Sequence, residues 1–251
     1  MKLSRKIFLF IIIFSLGFYL LRTEGQYIYY NIGILVSDLG GLVYLYSTIG
    51  IIFAILAAFV ILSEVERWNS LVDAIKGEAG ELNELWLWSQ YLSDDLKKEF
   101  KKNIKEYLEN LNEEVWQNNK IKEKNLKIEK VLNSLHNDIY KTISEAPSLM
   151  PEIFSTFSHL IKYRERRIHF TSFHLPKILK NTLIFSDILL VLLSLLIGVH
   201  NSWLNYIFII SIASLCYVIY LLIDDLDNPT RPGIWQVTIK DFSELLNKIS
   251  N

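Results

Sequence analysis

The stretch from Leu42 to Leu92 constrains this chain more than any other. Its first part, LVYLYSTIGIIFAILAAFVILS (Leu42–Ser63), carries no charged residue. That is long enough to cross a bilayer, which takes about 20 apolar residues. It runs on into EVERWNSLVDAIKGEAGELNELWLWSQYL with no proline and no turn cluster between. Val65, Trp68, Val72, Ile75, Ala79, Leu82 and Trp86 recur at spacings of three and four, the period of one helix face. The pattern predicts a single helix that crosses a membrane, leaves it, and becomes a packing surface.

Other apolar runs place the chain in the membrane class. Hydrophobic residues make up 51% of the chain and its mean hydropathy is +0.25. The first run, IFLFIIIFSLGFYLL (residues 7–21), follows a basic start and precedes RTEGQ. With no small-residue cleavage site after it, it reads as an uncleaved, short first span rather than a signal peptide. Leu42–Ser63 is the second span, about 179–199 the third and about 203–223 the fourth. Residues 22–41 link the first two, with Tyr27, Tyr29 and Tyr30 suited to an interfacial belt. Ile28, Ile32, Leu35 and Leu39 suggest a surface helix there, against a plain loop. Cys216, the single cysteine, lies in an apolar run and has no intrachain partner for a disulfide.

Most of the charge falls in residues 64–178, which read as helical throughout. Ser93, followed by Asp94 and Asp95, starts a helix, with Leu96, Phe100, Ile104, Tyr107, Leu111 and Val115 on one face. QNNK (117–120) breaks it. Ile121, Ile128, Leu132, Leu135 and Ile139 mark the next, which ends at Ala146-Pro147-Ser148. Pro151 suits the first turn of another, reaching about Phe170. His174-Leu175-Pro176 marks the return to the membrane. No long period-two alternation occurs, so no sheet is expected.

The expected fold class is therefore all-α: an integral membrane protein with four transmembrane helices and a helical cytosolic domain between spans two and three. Its parts are an N-terminal membrane part (1–63), the cytosolic domain (64–178), a transmembrane hairpin (179–223) and a C-terminal tail (224–251), in which Asp241–Ile249 forms a short amphipathic helix. Lys2, Arg5 and Lys6 before the first span outweigh Arg22 after it. The excess of basic residues on the cytoplasmic side puts both termini there.

Several residues carry a resemblance. Ala58-Phe59-Val60 closes the second span, and Glu78-Ala79 follows on the same helix. Tyr107, Trp116, Arg164 and Arg167 come next, then Pro176 before the third span, then Asp227, Pro229 and Gly233. In this order they resemble the bestrophin-like integral membrane proteins, a largely bacterial family, over roughly residues 42–250. An aromatic residue often follows the closing proline there; Thr230 stands here. The resemblance implies a relation to bestrophins, pentameric anion channels with four spans per subunit, a helical cytosolic region and an apolar neck on the second membrane helix.

Under that resemblance Ile52, Ile55 and Phe59 form a candidate pore neck, gating by dewetting; the alternative is that they face lipid or other helices. Gly50, Ala54, Ala57 and Ala58 offer another side for close helix packing. Asp187 is an intramembrane charge, with Lys180 seven residues earlier on the same face. It marks an ion path or a hydrated, structurally bonded carboxylate. Lys162, Arg164, Arg166 and Arg167 form a basic cluster that binds anionic lipid, draws anions to a vestibule, or pairs with acidic helices. Asp224, Asp225 and Asp227 crowd the end of the fourth span without the spacing of a calcium loop. A rigid turn through Asp227, Pro229 and Gly233 is the better reading, and no metal is assigned.

No phosphate loop, nucleophile elbow or paired-histidine motif occurs, and the five histidines, His136, His159, His169, His174 and His200, are scattered. The expectation is therefore no enzyme, no catalytic residue, no cofactor and no nucleic acid. The favoured function is a homo-oligomeric ion channel, pentameric and anion-passing by resemblance, in a bacterial inner membrane. The alternative is a non-conducting scaffold or sensor whose cytosolic helices bind a protein partner.

Overall fold

The computed structural model describes residues 3–24, 39–114, 121–197 and 202–250. These form eight helices and no strand: α1 (Leu3–Glu24), α2 (Leu39–Ser89), α3 (Asp94–Glu114), α4 (Ile121–Glu145), α5 (Met150–Ser172), α6 (Lys177–Leu196), α7 (Ser202–Asp227) and α8 (Lys240–Ser250). The expected linker helix, the QNNK break, Val115, Trp116 and His200 lie outside the described residues.

The chain divides into two compact units, Met1–Glu66 with His174–Gln236, and Arg67–Phe173 with Val237–Asn251. α2 is one uninterrupted helix of 51 residues that contributes to both. The tail divides as well, Asp224–Gln236 going to the first unit and α8 to the second.

Among the described residues of the first unit, three helices are long and apolar enough to cross a membrane: α2, α6 and α7. α1 contributes a shorter apolar segment, Phe8–Gly17. Its Phe10 stacks on Tyr217 of α7 at 4.0 Å between ring centroids, and Ser15 hydrogen-bonds Tyr206. Phe53, Ala57 and Val60 of α2 pack with Leu183 and Leu190 of α6 and with Cys216 and Ile223 of α7. Of the small residues at Gly50, Ala54, Ala57 and Ala58, only Ala57 is buried, while Ala54 and Ala58 stay exposed. α6 begins directly after Pro176, which cannot donate a backbone hydrogen bond and so suits a helix entry.

In the second unit, α2, α3, α4, α5 and α8 share one core. Phe100, Ile104, Tyr107 and Leu111 of α3, and Ile128, Leu135 and Ile139 of α4, are fully or almost fully buried, as their spacing predicts. Ser93 starts α3: its hydroxyl accepts from the Leu96 N–H at 3.5 Å, and its carbonyl from that of Lys97 at 2.9 Å. Pro151 lies in the first turn of α5. Phe242, Leu245 and Ile249 of α8 complete the core.

The expected face of α2 is met in large part, with Ile75, Ala79 and Leu82 buried and Trp68, Val72 and Trp86 packed against the core, but its centre is shifted. Its most buried line is Leu71, Ile75, Glu78, Leu82, Leu85 and Ser89. Val65, Trp68, Val72 and Trp86 are only partly buried. The physical reason is Glu78. A fully buried carboxylate at the centre of the face interrupts its apolar pattern, so hydrophobicity alone points to the neighbouring stripe.

Candidate functional site

Two places in the fold gather residues with chemical potential. The first lies on α2 inside the membrane unit. Burying Phe53, Ala57 and Val60 turns another face of the helix outward. There Ile52, Ile55 and Phe59 are 60%, 66% and 65% exposed on the single chain. Their spacing of three and four keeps them on one stripe. Nothing polar interrupts it, so it presents a continuous apolar strip to whatever meets it.

Lys180 and Asp187 of α6 both line a small cavity shared with Leu183, and with Ile219, Tyr220, Ile223 and Asp224 of α7. Lys180 reaches across to α7 rather than along its own helix. Its Nζ lies 2.8 Å from Asp224 Oδ1 and 3.5 Å from Asp227 Oδ2. Asp187 keeps one buried oxygen, Oδ1, without a hydrogen-bond partner.

The acidic cluster at the end of α7 is taken up by the chain itself. Asp227 Oδ1 accepts the Leu175 N–H at 2.7 Å, tying the start of the α6 segment to the end of α7. Asp225 Oδ2 accepts the N–H groups of Ile234 at 2.8 Å and Trp235 at 3.2 Å. Gly233 is required by this close approach, not by its backbone angles. A Cβ there would overlap the Asp225 carboxylate, and no described glycine has positive φ. Asp227, Pro229 and Gly233 thus belong to one folded-back turn, held by Asp225 as well. Among the described residues no group of His, Cys, Asp or Glu is arranged to hold a metal ion.

The second place is the buried polar centre of the helical unit. The basic run on α5 splits by helical period. Lys162 and Arg166 are exposed, while Arg164 and Arg167 turn inward. Arg167 Nε donates to Glu78 Oε2 at 2.6 Å, and its Nη2 to Oε1 at 3.2 Å. The Tyr107 hydroxyl donates to the same Oε1 at 2.6 Å. A two-pronged guanidinium–carboxylate pair of this kind is directional and stronger than a neutral hydrogen bond. Burial, reinforced by Glu78, pushes the Tyr107 phenol well above its ordinary pKa, so it stays a donor. The cluster joins α2, α3 and α5. At Gly77, beside it, an added Cβ would lie 2.5 Å from the Tyr163 ring, so α5 packs directly on the α2 backbone.

This triad was not assigned as a site from the sequence, although Glu78, Tyr107 and Arg167 all carry the family resemblance. The available signal was an acid between Ile75 and Leu82 on an otherwise apolar face. Asp224 as the partner of Lys180, and Asp225 as the partner of Gly233, were missed for want of any local signal.

Comparison with known proteins decides the family. The Bestrophin-like domain matches residues 41–231, most of the chain. The chain belongs to the Bestrophin-like family. No curated protein matches it. The Bestrophin-like fold is shared with solved structures at low sequence identity. One is a membrane protein, 12% identical with a TM-score of 0.73, over 95% of this chain and 97% of that one. Another is a single-residue variant of a bacterial Bestrophin homolog from Klebsiella pneumoniae, 13% identical with a TM-score of 0.72, over 98% and 100%. A structure of that homolog phased with zinc is 11% identical, with a TM-score of 0.65 over 99% and 97%. The match spans both units and covers α2, its exposed strip and the Glu78 cluster. This Bestrophin-like chain is a membrane protein.

Proposed function

We propose that the protein is a homo-oligomeric channel in which copies of α2 surround a central axis and Ile52, Ile55 and Phe59 form its apolar neck. The observation that carries this reading is the strip itself, outward-facing on α2 while the other face is committed to α6 and α7. An apolar constriction of this kind gates by dewetting. Family membership supports the same reading, with a pentamer and passage of anions as the expectation that the resemblance brings.

In this arrangement α1 is the fourth span beside α2, α6 and α7, and both termini face the cytoplasm of a bacterial inner membrane. The helical unit is then cytosolic. Lys162 and Arg166 form its exposed basic surface, near the membrane or at a vestibule. Asp187, with an unsatisfied oxygen inside the membrane, is the candidate intramembrane charge on the ion path or its gate. The scaffold or sensor alternative draws no specific support from the fold.

The test is ion flux from liposomes containing the purified protein. Flux that Phe59→Ala alters supports the neck. Flux unchanged by Phe59→Ala refutes the neck assignment, and a stable oligomer that passes no ion refutes the channel.

A further inference from the structure

Arg164 stands apart from the rest of the buried polar centre. It lies one turn before Arg167 on α5 and is only 9% exposed. Arg167 is satisfied by Glu78, and Glu78 is fully taken up by Arg167 and Tyr107. Arg164 shares none of this. Its Nε is buried without a hydrogen-bond partner, and among the described residues it makes no ion pair or hydrogen bond. Arg164 is thus a nine-tenths-buried positive charge that no acidic side chain among the described residues offsets.

That surplus needs a counter-charge. An arginine cannot shed its proton in a protein, so it cannot escape by becoming neutral. A buried charge without a partner is strongly unfavourable, which is why buried charges are paired or bind ions. Tyr107 cannot serve: its hydroxyl donates to Glu78, and its phenol is held protonated. The neighbouring acid on the helix, Glu165, is exposed.

We propose that Arg164 is an anion-binding site within the helical unit, taking a small monovalent anion of halide or carboxylate type. The anion comes either from solution or from a carboxylate of a second copy of this chain. The site does not depend on conduction, so a protein that passes no ions still tests it.

The experiment follows thermal unfolding of the full-length protein in mild detergent as chloride replaces a bulky anion at constant ionic strength. A solution anion raises the wild-type midpoint by about 5–10 °C at a hundredfold excess over Kd. Arg164→Gln removes that dependence and Arg164→Lys keeps part of it. If a neighbouring copy supplies the carboxylate, the wild-type midpoint ignores chloride and Arg164→Gln shifts the particle to a smaller size on gel filtration. Equal chloride dependence in wild type and Arg164→Gln overturns the site. So does the absence of both the chloride effect and the size change. Should Arg164→Gln fail to fold, wild-type crystals soaked in bromide decide the matter: an anomalous peak or a neighbour's carboxylate at the Arg164 guanidinium supports the site, and neither one overturns it.

Discussion

Glu78→Ala is the most informative single change in the helical unit. The Glu78 carboxylate accepts three hydrogen bonds, from Arg167 at 2.6 and 3.2 Å and from Tyr107 at 2.6 Å, and it is fully buried. Removing it takes from Arg167 the carboxylate it binds with two N–H groups, so a buried guanidinium loses its acidic counterpart. Breaking a buried pair by deleting one partner costs about 3–5 kcal/mol. Stranding the Tyr107 hydroxyl adds to that, since a buried donor left unsatisfied costs about 1–3 kcal/mol. The terms overlap, so a loss of about 4–6 kcal/mol is expected. For a chain of this size each kcal/mol moves the thermal midpoint by about 2–4 °C. Glu78→Ala should therefore lower the midpoint by about 10–20 °C in a detergent-based thermal shift assay. Glu78→Gln, which keeps one acceptor and the side-chain shape, should fall between it and wild type. A Glu78→Ala midpoint within about 2 °C of wild type would refute the reasoning, because the buried pair would then contribute nothing.

Gly233→Ala should push the Asp225 carboxylate off the Ile234 and Trp235 N–H groups, costing about 1–3 kcal/mol; an unchanged thermal midpoint would show that the turn tolerates a Cβ. Gly77→Ala should separate α5 from α2 at Tyr163, measured as lower protection of α5 amides in hydrogen exchange; wild-type protection would contradict it. The Tyr107 phenol is raised by burial and by Glu78. Its contribution to stability is complete below the unfolded-state value of about 10 and is lost as pH climbs through the higher folded value. Tyr107→Phe should flatten the fall in thermal midpoint between about pH 9 and pH 11; an equally steep fall in both proteins would argue against a sequestered phenol.

The helices of the charged unit were largely legible because the signals that set them are local. Ser93 with two aspartates starts α3, Pro147 follows the end of α4, and Pro151 sits in the first turn of α5. The faces of α3 and α4 were equally legible, since their apolar residues repeat at helical spacing and are the ones buried. The face of α2 was legible only in part, because its centre is Glu78, whose partners lie 29 and 89 residues away. Lys180 illustrates the same limit. Spacing along α6 suggested Asp187, but the nearest acid in space is Asp224 on α7, 44 residues on. The outward position of Ile52, Ile55 and Phe59 depended on which face of α2 the other spans cover. That choice is tertiary, and the run of uncharged residues from Leu42 to Ser63 does not encode it by pattern alone.

The central claim is that the strip on α2 lines a conducting path. Single-channel or macroscopic current across planar bilayers, comparing reconstituted wild type with Phe59→Ala, tests it most directly. The account predicts current from wild type and a changed conductance or open probability in the variant, because one apolar ring of the neck has been cut back. Wild-type current identical to that of Phe59→Ala, or no current from an intact oligomer, would contradict it.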